Sequence, residues 1–239
     1  MGPKSMTAPP RTLGDAPPRE MAAVRPDCLP LPAAMLGRPV EPRGYPVPWF
    51  ATAIDGAWDL RVVRPERWAE AVRRQVCWVS GRPLGRYRAF VIGPMGTVNR
   101  VSADPPVSRE IALWSARVCP FLSRPLARRN ERGFEELGVR LEDQPGVMLT
   151  RNPGVVAVWV THARGYRVLP ERLFRLEENP MEVTWFTEGR HATRAEVLGA
   201  LVAGFPALRE LAERDGPEAV ALAERMLDAA LQFLPEGRS

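Results

Sequence analysis

Four positions in the middle of the chain have the spacing of a tetrahedral zinc site, but only one of them carries a zinc ligand. The run Cys77-x-x-Ser80-Gly81 has the form of a zinc knuckle, a tight turn that directs two ligands at one point. Ser108 and Ile111 stand three residues apart, a spacing that places them on one face of a helix. Because a hydroxyl is a poor zinc ligand and an isoleucine is none, we predict that no metal binds here. The alternative interpretation is a simple junction between a strand and a turn, with one buried thiol.

Residues 75–121 contain the elements that would position these side chains. The run from Tyr87 to Val101 has strand-forming residues on both sides of a Gly-Pro-Met-Gly turn, which predicts a β-hairpin. A helix is predicted after the two prolines at 105 and 106, with Ile111 and Val118 on one face. A knuckle, a hairpin and a helix in this order make a treble clef, so we interpret the segment as a metal-free, treble-clef-like element. Apolar packing of Ile111 would replace the metal and contribute roughly 1.5–3 kcal/mol.

Several runs of this segment match one family pattern in order: CWVSG at 77–81, FVIGPM at 90–95, NRVSADPP at 99–106 and CPFL at 119–122. The pattern resembles that of an uncharacterised family of actinobacterial and actinobacteriophage proteins, which reads CWVCG, FVIGPM, NRxSxEPP, HxxC and CPFL. Where that family has its second knuckle Cys, its helix His and its helix Cys, this chain has Ser80, Ser108 and Ile111. The resemblance extends over residues 28 to 234. It implies an actinobacterial or phage source and brings no established activity.

Composition predicts a folded chain with one main domain. Of the 239 residues 45% are apolar and seven are Trp, which is enough to build a sizeable core. Residues 1–26 are rich in Pro and Arg and are predicted to be a disordered tail. Residues 27–239 are predicted to form a single α+β domain with a mixed or antiparallel sheet. Within it, the nearly continuous apolar run from Val155 to Thr161 predicts a strand that is buried on both faces.

The C-terminal section, residues 193–234, is predicted to be a helical hairpin. Thr193 and Glu196 have the spacing of a capping box, in which each side chain accepts from a backbone N–H of the other residue. An apolar stripe that includes Leu198 and Val202 follows. Gly204 and Pro206 predict a bend or a break in this first helix. The hairpin would pack on the sheet or offer its apolar stripe to a partner.

Cysteine usage and hydropathy predict a cytoplasmic protein without a membrane segment. Cys28, Cys77 and Cys119 are odd in number and widely spaced, which is not the pattern of a disulfide framework. No run approaches the roughly 20 apolar residues that span a bilayer, and the first residues have no apolar signal region.

The net charge of +5 comes from 33 basic and 28 acidic residues, and all but one of the basic residues are Arg. A local excess of positive charge over residues 124–132 is a possible phosphate-binding patch, formed by Arg124, Arg128, Arg129 and Arg132. The alternative is an ordinary solvated loop or helix face. Nucleotide bias in the coding sequence explains the preference for Arg as well as phosphate binding does.

The absence of a complete catalytic set favours a non-enzymatic binding protein, with a protein partner favoured over nucleic acid and with no metal or other cofactor. His162 and His191 have the chemistry of general bases, but neither has a nucleophile or a carboxylate pair beside it in the sequence. The oligomeric state does not follow from these patterns.

The alternative is an enzyme acting on a small molecule or on nucleic acid with catalytic residues in loops. A nuclease built on a treble clef needs a His in the hairpin, and this hairpin has none. Asn99 and Asp104 are the nearest candidates for holding a cation. A small-molecule site would use a pocket between sheet and helices, lined by aromatic residues that are equally suited to the core: Tyr45, Trp49, Trp159 and Trp185.

Overall fold

The structure is a computed structural model and describes residues 13–14, 22–63, 65–123, 154–170 and 172–236. Its strands are β1 (Leu13–Gly14), β2 (Ala51–Ile54), β3 (Ala57–Val63), β4 (Tyr87–Ile92), β5 (Val101–Ser102), β6 (Val156–His162), β7 (Tyr166–Val168), β8 (Phe174–Leu176), β9 (Glu182–Thr187) and β10 (Arg190–His191). Its helices are α1 (Pro65–Arg74), α2 (Pro94–Asn99), α3 (Arg109–Val118), α4 (Arg194–Asp215) and α5 (Pro217–Ala230). The predicted α+β class, with antiparallel sheets and a C-terminal helical pair, is confirmed.

Within the described residues, the strands form three antiparallel sheets. The largest has the order β10-β9-β6-β4, and the other two have the orders β1-β2-β3 and β5-β8-β7. Strand β6 lies inside the four-stranded sheet, where Trp159 pairs with Phe90 of β4 and with Val183 of β9. Its residues from Val156 to Thr161 are all buried, because other helices and strands pack on both faces of this sheet. The sequence prediction of a strand buried on both sides is therefore correct.

The two faces of the four-stranded sheet carry two separate hydrophobic clusters, because side chains alternate along a strand. On one face Ala89 and Val158 pack with residues of α3 and of the segment around Cys77. On the other face Phe90 and Trp159 pack with residues of α2, α4, α5 and β8. The segment around Cys77 and α3 therefore lies on one face of the sheet, and the C-terminal helical pair lies on the other.

The predicted hairpin from Tyr87 to Val101 is wrong, so the segment 75–121 lacks the hairpin of the predicted treble-clef-like element. β4 pairs with β6, and β5 pairs with β8, so these two strands belong to different sheets. The residues expected to form the turn instead form helix α2, with Gly93 as its N-cap and Pro94 in its first turn. Proline suits that position because the N–H it lacks has no partner inside a helix anyway.

The C-terminal helical pair begins as predicted, with the Thr193–Glu196 capping box. The predicted break at Gly204 and Pro206 is wrong, because α4 runs without interruption from Arg194 to Asp215. A Cβ at Gly204 would lie 3.0 Å from the Met95 side chain, so this glycine allows α4 to approach α2 closely. Its role is packing and not chain reversal.

Part of the predicted disordered tail is ordered. Leu13 and Gly14 form β1, which pairs with β2. Arg25 donates its backbone N–H to the carbonyl of Gly44 at 3.0 Å. Residues 1–12 and 15–21 lie outside the described part of the chain.

Candidate functional site

The Cys77–Gly81 segment has the tight turn that the zinc-knuckle spacing predicts. The Gly81 N–H donates to the Cys77 carbonyl at 2.8 Å, and the Cys77 N–H donates to the Arg82 carbonyl at 2.7 Å. The backbone N–H of Ser80 points at the Cys77 sulfur, 3.5 Å away. These backbone hydrogen bonds close the turn, and Cys77 is only 1% exposed inside it.

A glycine at position 81 is required by both backbone and packing. Its φ of +72° lies in the left-handed region, and a Cβ there would lie 2.4 Å from the Trp49 ring. The backbone N–H of Trp49 also donates to the Val79 carbonyl at 2.7 Å, which joins the Trp49 backbone to the turn. Trp49 and Phe50 contact Trp78, with ring centroids 6.3 and 5.0 Å from it. Aromatic packing therefore supports this turn.

The turn and the start of α3 are adjacent, as the four-position interpretation requires. The backbone N–H of Trp78 donates to the Pro106 carbonyl at 3.1 Å. Ser108 is the N-cap of α3, and Ile111 is 0% exposed in the same hydrophobic cluster as Cys77. Over the described residues there is no group of three or more His, Cys, Asp or Glu side chains arranged to hold a metal ion. Cys77 and Ile111 belong to the hydrophobic core in this structure.

The candidate phosphate patch formed by Arg124, Arg128, Arg129 and Arg132 lies outside the described residues.

The two candidate histidines lie at separate places. His162 ends β6, with its ring 5.3 Å from Tyr87, and His191 lies on β10, with its ring 4.8 Å from Phe186. Both are exposed. The structure does not bring them together.

Asn99 and Asp104, the candidates for holding a cation, both make hydrogen bonds within the fold. The Asn99 side-chain oxygen accepts the N–H of Val101 at 3.1 Å. Its backbone carbonyl accepts from the Arg175 guanidinium at 3.2 Å, and a guanidinium disfavours a cation beside it. The backbone carbonyl of Asp104 accepts from the Ser102 hydroxyl at 2.9 Å. Asn99 therefore has a structural role at the end of α2.

The four aromatic residues proposed for a small-molecule pocket do not share one. Trp159 and Trp185 lie in the cluster beneath α4 and α5. Trp49 packs in the cluster on the opposite face of the sheet. Tyr45 is 8% exposed, and the Arg25 guanidinium lies 4.9 Å from its ring centroid. The sequence-based pocket is therefore wrong.

The surface that stands out is one side of α4, which we call the α4 outer face. It is uncharged and all of its residues are exposed, including Leu198 at 41% and Val202 at 62%. Spacings of three and four residues place its members on one side of the helix: Ala195, Leu198, Gly199, Val202, Ala203 and Pro206. Contiguous apolar surface of this kind often marks an interaction site.

The opposite side of α4 fixes this face in place. Val197 and Leu201 are both 0% exposed and pack in the cluster with Trp159. The sequence predicted an apolar stripe through Leu198 and Val202 but not which part of it would stay uncovered. Spacing on a helix gives the stripe, whereas the position of the neighbouring α2 and α5 decides how much of it is buried.

Charged pairs stand near both ends of the α4 outer face. At the N-terminal end, Arg190 pairs with Glu196 at 2.6 Å. Hydrogen bonds from the Arg190 guanidinium and then from the Thr193 backbone lower the pKa of Glu196 from 4.5 to about 2. Towards the C-terminal end, Arg209 pairs with Glu213 at 2.8 Å. An apolar centre with a polar rim is the usual anatomy of a protein interface.

No family model, curated protein or solved structure matches this chain. The resemblance to the actinobacterial and actinobacteriophage family therefore stays a prediction. Among the helices in the described ranges, none combines the length and the apolar character needed to cross a bilayer.

Proposed function

We propose that this chain is a non-enzymatic binding protein whose partner is another protein, and that the partner presents an amphipathic α-helix to the α4 outer face. The observation that supports this most is the exposed, uncharged side of α4, with Val202 62% exposed at its centre. The face is rigid because the other side of the helix is buried in the core. A helix that lays its apolar side against such a surface is a recurring mode of recognition.

The shape of the α4 outer face suits a helix. Ala195, Gly199 and Ala203 follow one another at four-residue intervals and form a row of small side chains. Leu198 and Val202 form the adjacent row, which projects further. A ridge beside a shallow groove is the surface into which the ridge of a second helix packs.

Size favours a foreign partner over a second copy of this chain. One helix face is smaller than the roughly 800 Å² per partner that stable complexes bury. A symmetric dimer centred on α4 would place two such uncharged faces against each other. A different partner can add contacts beyond the helix and along the charged rim. We expect a transient complex.

A cytoplasmic setting is part of the proposal. Cys28, Cys77 and Cys119 are all free thiols, which supports a reducing compartment. An actinobacterial or phage source remains a proposal from the sequence resemblance.

The proposal is tested with Val202→Glu and a matched control, Met181→Glu. Met181 is also an exposed apolar residue, at 54%, but it lies just before β9 and is not part of α4. Each immobilised protein is incubated with lysate of its host, and captured proteins are quantified by mass spectrometry. An amphipathic helix of each protein lost with Val202→Glu is then synthesised and titrated by fluorescence anisotropy.

We expect one protein to be retained by the wild type and by Met181→Glu but lost with Val202→Glu, and its isolated helix to show the same order of affinity. Equal capture by all three proteins, or a helix peptide that does not distinguish them, would refute the proposal. Sedimentation velocity covers the remaining possibility. A dimer that Val202→Glu dissociates would mean that a second copy occupies the face.

A further inference from the structure

Three arginines lie together at the small sheet formed by β5, β8 and β7. Arg175 of β8 stands directly opposite Val101 of β5 on one side and Arg167 of β7 on the other. Arg100 immediately precedes Val101. Because Phe174 is 0% exposed and faces the core, Arg175 and the side chains level with it lie on the opposite, outer face of this sheet.

The hydrogen-bonding capacity of these guanidinium groups is only partly used. Arg175 donates from Nη1 to the Asn99 carbonyl at 3.2 Å, and Arg100 pairs from Nη1 with Glu178 at 2.5 Å. The Nε atoms of both Arg100 and Arg175 are buried and have no hydrogen-bond partner. Within the described residues, Arg167 has no ion pair. A buried N–H donor without an acceptor, such as the Nε of Arg100 or Arg175, lowers the stability of the fold.

The arrangement is electrostatically unfavourable by itself. Like charges directly opposite each other across two strands destabilise a sheet. Burial lowers the pKa of Arg175, and the charges of Arg100 and Arg167 lower it further. Three positive charges less the negative charges of Glu177 and Glu178 leave an excess of one. Glu177 is exposed and forms no ion pair within the described part of the chain.

We propose that Arg100, Arg167 and Arg175 bind the phosphate group of a phosphate monoester. Guanidinium groups bind phosphate oxygens through paired N–H donors. The site lies on β5, β7, β8 and the end of α2, so it is independent of the α4 outer face.

The first probe is inorganic phosphate, titrated against chloride at constant ionic strength while the melting temperature and the heat of binding are measured. Arg167→Gln is the main variant because Arg167 is exposed and its replacement leaves the core unchanged. Arg225→Gln removes one positive charge from an exposed position on α5 and is the matched control. Arg175→Lys keeps the charge but removes the paired donors.

We expect phosphate to raise the melting temperature of the wild type and of Arg225→Gln. Arg167→Gln should bind phosphate about tenfold more weakly, the effect of losing one charge-assisted contact. Without phosphate, Arg167→Gln should melt at the same or a higher temperature than the wild type, because its replacement relieves repulsion. Arg175→Lys should also weaken binding. An equal response of wild type, Arg167→Gln and Arg225→Gln would overturn the proposal.

Two further ligands distinguish the source of the phosphate. Glycerol 3-phosphate carries a monoester dianion, whereas a short single-stranded oligonucleotide without terminal phosphates carries only diesters. We expect glycerol 3-phosphate to bind in the wild type and to lose affinity with Arg167→Gln. Binding of the oligonucleotide alone, with the same loss in Arg167→Gln, would overturn the monoester proposal in favour of nucleic acid.

Discussion

Restoring the missing ligands tests whether the turn at Cys77 and the start of α3 meet at a former metal site. The variant combines Ser80→Cys, Ser108→His and Ile111→Cys, so that with Cys77 four zinc ligands are present. The hydrogen bond from the Trp78 backbone N–H to the Pro106 carbonyl, at 3.1 Å, already joins the turn to the residues before α3. We predict that the variant binds one zinc ion per chain in tetrahedral geometry.

The cost of the substitutions without metal can be worked out from the structure. Ile111 is 0% exposed, and its shortening to Cys falls between an Ile→Val and an Ile→Ala change, about 1.5–3 kcal/mol. The Ser80 hydroxyl accepts the Arg82 N–H at 3.3 Å, a contact worth about 0.5–1.5 kcal/mol. Ser108 makes no side-chain cap bond, so its replacement costs little. The metal-free variant should therefore be about 2–4.5 kcal/mol less stable than the wild type.

Zinc should more than offset this loss, since structural zinc contributes an apparent ~10–16 kcal/mol in zinc-finger peptides. The assay is denaturant unfolding with zinc and with a chelator, together with elemental analysis. A variant with only Ser80→Cys and Ser108→His has three ligands and serves as the control for a weaker site. If the triple variant keeps the wild-type circular dichroism but takes up no zinc at equimolar concentration, the four positions do not converge and the interpretation as a former metal site is wrong.

Three other predictions concern local structure. Thr193→Ala removes the N-cap of α4 and should lower the free energy of unfolding by about 1 kcal/mol, measured by urea denaturation. The pKa of Glu196 is lowered from 4.5 to about 2, chiefly by Arg190, so its contribution to stability is complete above pH 4.5 and is lost as the pH falls towards 2. Thermal melts across that range should show the loss. Gly81→Ala places a Cβ 2.4 Å from Trp49 at a φ of +72° and should cost about 2–4 kcal/mol.

Matched variants separate the causes of these effects. Glu196→Gln should flatten the part of the pH dependence between 4.5 and 2, and an unchanged profile would refute the role of Glu196. Gly56 also has a positive φ, +76°, but its Cβ would meet nothing within 4 Å. Gly56→Ala therefore measures backbone strain alone. If Gly81→Ala costs no more than Gly56→Ala, the contact with Trp49 does not fix the turn.

Local signals in the sequence predicted several elements correctly. The Thr193–Glu196 capping box depends on residues three apart, so the start of α4 can be seen without tertiary structure. The apolar run of β6 likewise predicts burial on both faces, because no polar residue interrupts it before Thr161. The tight turn at Cys77–Gly81 follows from its glycine.

Other features depend on packing that no short window contains. Gly204 and Pro206 were expected to bend or break the first helix, but α4 is continuous, with Gly204 against Met95 and its buried side in the core. The segment after Ile92 was expected to turn back as a hairpin, although Pro94 is equally suited to the first turn of α2.

The two proposed sites likewise depend on tertiary packing that the sequence does not show. The α4 outer face was visible only as part of a longer stripe, because the positions of α2 and α5 decide which residues remain exposed. The arginine site needed the register that places Arg167 opposite Arg175, and strand register is a tertiary property.

Site-specific photo-crosslinking from the α4 outer face is the most direct measurement of the proposed function. A photoreactive amino acid replaces Leu198 in the full chain expressed in its host, with and without Val202→Glu. We predict a crosslink to one partner protein, mapped by mass spectrometry to an amphipathic helix and lost with Val202→Glu. A crosslink that persists with Val202→Glu, or one only to a second copy of this chain, would contradict the proposal, as would the absence of any crosslink.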